Sequence, residues 1–223
     1  MVSQESPLGS PPTLRVGVTG HRTKGLSEAG YDQALLRGSV RKVLAQVKEI
    51  ARRLSERHPD VREELLLKVV SPLAEGADRI VAEEGLMLGY ELQSPLPFSR
   101  QEYEKDFTIP ESKTAFHALL ERTTQVIELA GSREHENKAY EEVGRWVLLH
   151  SDILIAIWNG QSPAGQGGTG QIVKEAIARG ITTVWVRPHE EIFLLRSIAP
   201  LLYDSMNGLS EAIGRVLTAR GMS

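Results

Sequence analysis

The chain has 223 residues, 41% of them hydrophobic and 25% charged, a composition of globular domains that excludes a disordered, collagenous or membrane-spanning chain. Its 26 basic and 29 acidic side chains leave a formal net charge of −3, which argues against a nucleic-acid polymer held by its phosphates alone. Cysteine is absent, which excludes disulfides, thiolate nucleophiles, cysteine-ligated zinc and iron–sulfur clusters.

The first twelve residues are rich in Ser, Pro and Gly and lack the basic start and apolar stretch of a signal peptide. Residues 1–13 therefore read as a disordered lead, and residues 14–223 as one domain. No run approaches the roughly 20 apolar residues of a membrane span, so cytoplasmic residence without membrane contact is the expectation. Leu14 to Thr19 is a short apolar run that predicts a first strand, followed by a loop over Gly20 to Gly25. Apolar residues from Leu35 to Leu54 recur at three and four, which predicts one long amphipathic helix from about Ser27 to Arg57. Leu65 to Val70 is a second strand, apolar enough to be buried on both faces. A helix is predicted over Glu75 to Leu88, with Gly89 as its C-terminal stop, then a third strand over Tyr90 to Leu96.

Pro97 to Pro110 reads as a loop with a short helix, and Glu111 to Arg122 as a further helix. Gln125 to Leu129 predicts a fourth strand, and the charges from Ser132 to Lys138 a solvated loop. After a helix from Ala139 to His150, Asp152 to Trp158 is the clearest strand in the chain. A Gly-rich loop, a helix from Thr169 to Arg179 stopped by Gly180, a last parallel strand over Thr182 to Val186 and a closing helix from Leu209 to Ala219 complete the pattern. Short strands alternating with helices predict an α/β fold: a Rossmann-like, doubly wound, mostly parallel sheet with helices on both faces.

In such a sheet ligands bind beyond the carboxyl ends of the strands, where strand order reverses. Four features fall there. Gly167, Gly168, Thr169 and Gly170 open a helix, so unpaired amides and the absence of side chains suit a phosphate; the spacing is neither a Walker loop nor the dinucleotide fingerprint. Gly20 permits a tight turn and Arg22 offers a planar donor fork for phosphate, while His21 is either a ligand contact or a structural hydrogen-bonding group. Glu75 and Asp78, flanking Gly76 at a helix start, suit ribose hydroxyls or an acid and base pair, or else cap the helix. Pro97 and Phe98 follow the third strand; Phe98, Tyr103, Phe107 and Trp158 either stack on a base or pack the core. Asp152 starts its strand, at the wrong end of the sheet for the site, and reads as structural. The six histidines show no metal-ligand spacing, so neither a metal nor a cofactor is expected.

Taken in order, VGVTGHR, SPLAEGADRIVAEEG, LPFSRQEYEKDF and SDILIAIWNG with its following GGTG resemble the SLOG superfamily of Rossmann-like nucleotide-ligand domains, over the span from Leu14 to Val186. The second run is similar to the SGLAxGID segment of DNA-processing protein A. The last is similar to the glycine turn of the cytokinin-activating phosphoribohydrolases (LOG) and of nucleoside deoxyribosyltransferases. The resemblance implies a nucleotide-derived ligand (ADP-ribose-like, a cyclic nucleotide or a nucleoside monophosphate), a sensing role beside an effector partner, and homo-oligomers. In both enzyme families a glutamate follows the glycine turn, because cleavage of an N-glycosidic bond needs a carboxylate facing an oxocarbenium-like centre. Here Gln171, Ile172, Val173 and Lys174 stand there and Glu175 is the first acid, which implies binding without turnover. The alternative is an N-glycosidic hydrolase or transferase in which Glu75 or Asp78 replaces that glutamate.

Overall fold

Near-continuous apolar runs become strands buried on both faces. The computed structural model describes residues 12–56, 65–160, 168–187, 192–195, 201–202 and 206–219. The lead over residues 1–11 and the Gly-rich segment 161–167, Gly167 included, lie outside the described residues. Six parallel strands form the sheet: β1 (Thr13–Gly20), β2 (Leu66–Val70), β3 (Glu91–Leu96), β4 (Gln125–Glu128), β5 (Ile153–Ile157) and β6 (Thr182–Val186). Two antiparallel strands not foreseen from the sequence, β7 (Ile192–Leu195) and β8 (Leu201–Leu202), extend the β6 edge. The order is β4-β3-β2-β1-β5-β6-β7-β8. The chain winds outward from β1 to β4, then crosses back to pair β5 with β1. Strand order therefore reverses between β1 and β5, the position at which α/β sheets open a ligand crevice.

The connecting helices are α1 (Thr23–Glu28), α2 (Gln33–Glu56), α3 (Ala77–Met87), α4 (Arg100–Tyr103), α5 (Pro110–Glu121), α6 (Glu136–Leu149), α7 (Thr169–Ala178) and α8 (Met206–Ala219). α2 packs against α3 and α8, whereas α6 packs against α7. The two-residue period of β5 divides its side chains between these layers. Ile153, Ile155 and Ile157 join the core of Val40, Val43 and Ile80, while Leu154 meets Val147, Leu148 and Ile172.

Two expectations are corrected. The long helix predicted from Ser27 is two helices, because the chain turns at residues 29–32 and Asp32 restarts it by accepting the Leu35 N–H at 2.9 Å. Thr13, read as part of the lead, is the first residue of β1, and among the described residues no helix is long and apolar enough to cross a membrane.

α2 and α3 are joined by a buried carboxylate. Glu84, 1% exposed, accepts from Arg37 at 3.0 Å and from Arg41 at 2.7 Å. Glu84→Gln keeps the shape but removes the charge, and is expected to lower the unfolding free energy by about 1–2 kcal/mol in urea titrations.

Candidate functional site

At the reversal, the turn after β1 is tied to its neighbours through the backbone. His21 donates its N–H to the Ile157 carbonyl at 3.0 Å, accepts the Ala77 N–H at 3.1 Å, and its Nε2 accepts the Asn159 N–H at 3.3 Å. It thus links the ends of β1 and β5 to the start of α3, which is the structural one of its two readings. Gly20 sits in the same seam: a Cβ there would lie 2.4 Å from the Ala77 Cβ and 2.7 Å from the Ile157 carbonyl oxygen.

The loop over residues 71–76 is pressed against that turn. Gly76 has φ +92°, and a Cβ on it would lie 2.6 Å from both the His21 carbonyl oxygen and the Thr23 nitrogen. Leu73, fully buried, has φ +63°, a conformation that a non-glycine residue holds only when its surroundings over-determine it. Ser71 supplies part of that: its Oγ accepts the Leu73 N–H and donates to the Asp78 carbonyl.

Glu75 and Asp78 leave this loop in different directions. Glu75 accepts the Ser112 hydroxyl of α5. Arg79, 7% exposed, donates to the Leu73 carbonyl and twice to Ser112 while its guanidinium lies 4.3 Å from the centre of the Phe107 ring. Asp78 is 8% exposed, and Oδ2 accepts the Ala74 N–H at 3.3 Å. Burial pushes its carboxyl up to about 7, against the opposing pull of that N–H and of the positive Arg22 and Arg79.

The aromatic readings are corrected in favour of the core. Phe98 and Tyr103 are 1% exposed and Phe107 is fully buried. Tyr103 meets Phe107 at 5.2 Å and Phe116 at 5.7 Å, and Phe98 meets the edge of Tyr140 at 5.6 Å. The rings spend their faces on one another and present none for a base. Ser99 starts the short helix α4 by accepting the Glu102 N–H, and that turn rolls Tyr103 inward. Pro97 is buried beside Phe98. Trp158 is half-buried, with its ring 4.9 Å from Trp185 and its carbonyl accepting from Tyr31 and from the Trp185 indole.

Arg22 joins a cluster that the sequence did not reveal. Its Nη2 lies 3.2 Å from Asp106 Oδ2, and its guanidinium lies 5.2 Å from the centre of the Tyr140 ring. Asp106, 6% exposed, also accepts from Arg133 Nη1 at 2.6 Å and from the Tyr140 hydroxyl at 2.6 Å. Burial alone would lower the Arg22 pKa; Tyr103 and the Asp106 carboxylate outweigh it and raise it. The reading of residues 132–138 as solvated charge is corrected for Arg133, which faces inward because a buried carboxylate needs donors. The signals available were the unexplained acid of the EKDF segment and an arginine five residues past the fourth strand.

On the other flank, Gly168 precedes α7 and accepts the Gln171 N–H at 2.9 Å; Thr169 and Gly170 form the first turn, with Gly170 buried. Glu175 pairs with Arg145 of α6 at 3.2 Å and with Arg179 at 2.9 Å. The arrangement offers a glycine turn at a helix start, an arginine with an open edge and a buried carboxyl at the strand ends. Asp152 accepts the Arg15 N–H at 2.8 Å at the opposite end, the structural role read for it. Ile177, Gly180, Ile181, Thr182, Leu195 and Arg215 line a cavity at that same amino end of β6, away from these residues. Among the described residues no His or acid cluster is arranged to hold a metal ion.

No family model and no curated protein matches the chain. Among solved structures, DNA processing protein A (DprA) from Streptococcus pneumoniae is similar to it, with 16% identity and a TM-score of 0.48. The match covers 93% of this chain and 61% of that one. This chain therefore spans less than two thirds of that relative's length.

Proposed function

We propose that this chain is a SLOG-like domain that binds a nucleotide-derived ligand (ADP-ribose-like, a cyclic nucleotide or a nucleoside monophosphate) at the carboxyl ends of its parallel strands. One observation carries the reading: strand order reverses between β1 and β5, with Gly20, His21 and Arg22 on one side and Gly168, Thr169 and Gly170 on the other. Amides at a helix start and an arginine fork both suit phosphate. The engagement of Glu175 with two arginines supports binding over turnover, so the domain works as a sensor that reports to an effector protein or through self-association in the cytoplasm.

The test is a melting series with AMP, ADP-ribose, NAD and cyclic AMP, with each nucleotide recovered and chromatographed from the same tubes. A ligand at about 100 times its Kd adds roughly 2.7 kcal/mol, or about 5–10 °C in a chain of this size. Stabilisation with intact nucleotide is the expected result, and no shift from any of the four overturns the reading. The buried carboxyl of Asp78, held near neutrality, favours one second reading: an N-glycosidic hydrolase with Asp78 as general acid. Release of free base, abolished by Asp78→Asn and not by Glu75→Gln, would establish it.

A further inference from the structure

Arg22 is held on one edge and one face and open on its other edge. Nη2 pairs with Asp106 and the plane of the guanidinium rests by Tyr140, while its side chain is 44% exposed. Among the described residues nothing else hydrogen-bonds its Nε or Nη1.

The group that holds it is itself held with unusual care. Asp106 has a 6% exposed side chain and three donors: Arg22 and the Tyr140 hydroxyl on Oδ2, and Arg133 on Oδ1. Arg133 has partners of its own. It pairs with Glu102 at 3.6 Å and Glu136 at 3.7 Å, donates to the Glu102 carbonyl, and lies 4.2 Å from the centre of the Phe98 ring. The participants come from four places: Arg22 after β1, Asp106 between β3 and α5, Arg133 between β4 and α6, and Tyr140 in α6. A buried ionic assembly of this kind is not the economical way to stabilise a fold, since apolar residues of similar volume do so at least as well. It does fix a guanidinium in one orientation, which a flexible surface arginine lacks.

We infer that Asp106, Tyr140 and Arg133 are positioning residues that pre-set the free edge of Arg22 as an anion clamp for the phosphate of the ligand. The inference rests on the ligand-binding reading and deepens it. Among the described residues Arg22 Nε and Nη1 have no hydrogen-bond partner, and 44% of its side chain is exposed, so it makes the contact. Arg133, with Nη1 on Asp106 and the Tyr140 hydroxyl and Nη2 on the Glu102 carbonyl, acts through Asp106. Nη2 belongs to both two-point forks of the guanidinium, with Nε and with Nη1, and one of its two hydrogens faces Asp106; the clamp takes one phosphate oxygen pair through the fork that keeps the second Nη2 hydrogen. It discriminates phosphorylated from unphosphorylated nucleosides and ignores the base.

The experiment compares wild type, Asp106→Asn, Tyr140→Phe and Arg22→Lys by calorimetric titration with ADP-ribose and with adenosine. The Arg22 Nε–H relaxation is followed by NMR in the same proteins without ligand. The expected result has three parts. ADP-ribose affinity falls roughly tenfold to a hundredfold in Asp106→Asn and Arg22→Lys, the scale of one charge-assisted contact, and several-fold in Tyr140→Phe. Adenosine affinity does not change. The Arg22 side chain, rigid in wild type, becomes mobile in Asp106→Asn and Tyr140→Phe. Wild-type ADP-ribose affinity in both Asp106→Asn and Tyr140→Phe overturns the inference and leaves the ligand reading standing. Equal loss for ADP-ribose and adenosine also overturns it, since a merely structural role moves both. Failure of wild type to bind any of AMP, ADP-ribose, NAD and cyclic AMP overturns the ligand reading and the inference together; where another of the four binds in place of ADP-ribose, the titrations use that nucleotide. Should Asp106→Asn not fold, Tyr140→Phe, which removes a single hydroxyl and no charge, decides alone.

Discussion

Gly76→Ala is expected to lower the unfolding free energy by about 3 kcal/mol or more, a fall of roughly 6–12 °C in melting temperature. Two costs add. A backbone at φ +92° and ψ −124° lies in a positive-φ region that glycine alone enters readily, and it penalises an L-residue with a Cβ by about 1–3 kcal/mol. The new methyl would also stand 2.6 Å from the His21 carbonyl oxygen and the Thr23 nitrogen, backbone atoms that cannot rotate away as a side-chain end can. The turn holding His21 and Arg22 must therefore shift, so the variant that does fold should also lose the nucleotide-dependent rise in melting temperature. Gly38→Ala is the matched control. It lies inside α2 with open space around its Cβ position, and should gain about 0.5–1 kcal/mol from helix propensity alone. A Gly76→Ala variant that melts within about 2 °C of wild type would show that the 71–76 loop is not pressed on the β1 turn.

The parallel sheet was readable because a strand covered on both faces has to be apolar at every position, as in the ILIAI run of β5. β1, β2 and β6 approach this character, with Arg15, Lys68 and a Thr182-Thr183 start as interruptions, whereas β3 carries Glu91, Gln93 and Ser94. β7 escaped although β4 is no longer, because IFLL is apolar throughout and shows no alternation, and β8 because it has two residues; both owe their place to pairing with an edge already built. The break between α1 and α2 was written in the chain, but locally. Asp32 followed by a helical run is an N-cap signal, overridden in the reading by the longer apolar period that begins at Leu35.

The site divides along the same line. Gly20, His21, Arg22, Gly76 and Gly168 were legible as candidates because each lies directly after a strand or before a helix, so its place follows from the element beside it. Asp106, Arg133 and Tyr140 were missed because their meaning depends on partners 84, 27 and 34 residues away. Those partners meet only once β4 stands at the edge and the chain crosses back to β5. For Phe98 and Tyr103 both readings stayed open for the reverse reason: an aromatic near a strand end is written the same way whether its ring turns to the ligand or to the core. What decided was the direction of one turn of α4.

Asp78→Asn is expected to make the protein more stable at pH 8 and no more stable at pH 4. The Asp78 carboxyl is raised from an ordinary 3.8 to about 7 by burial. Between those values the folded chain keeps a proton that the unfolded chain has released. Folded protein therefore binds more protons than unfolded, and stability falls as pH rises through that window. Below about pH 4 both states are protonated and the penalty is absent; above about pH 7 both are ionised and it is complete, at up to about 4 kcal/mol. Asn is neutral throughout, so the gap between variant and wild type should open from near zero at pH 4 to that size at pH 8, read from urea titrations at one-unit steps. Parallel curves would mean that Asp78 ionises as a surface acid does, and the general-acid reading would lose its support. The same proton bears on binding. Arg22 is among the positive groups that Asp78 feels, so an anion seated on Arg22 removes part of what favours the ionised carboxyl and adds a like charge beside it. Phosphate binding and protonation of Asp78 then reinforce each other. Wild-type affinity for ADP-ribose should accordingly rise as pH falls from 8 to 6, and that rise should vanish in Asp78→Asn.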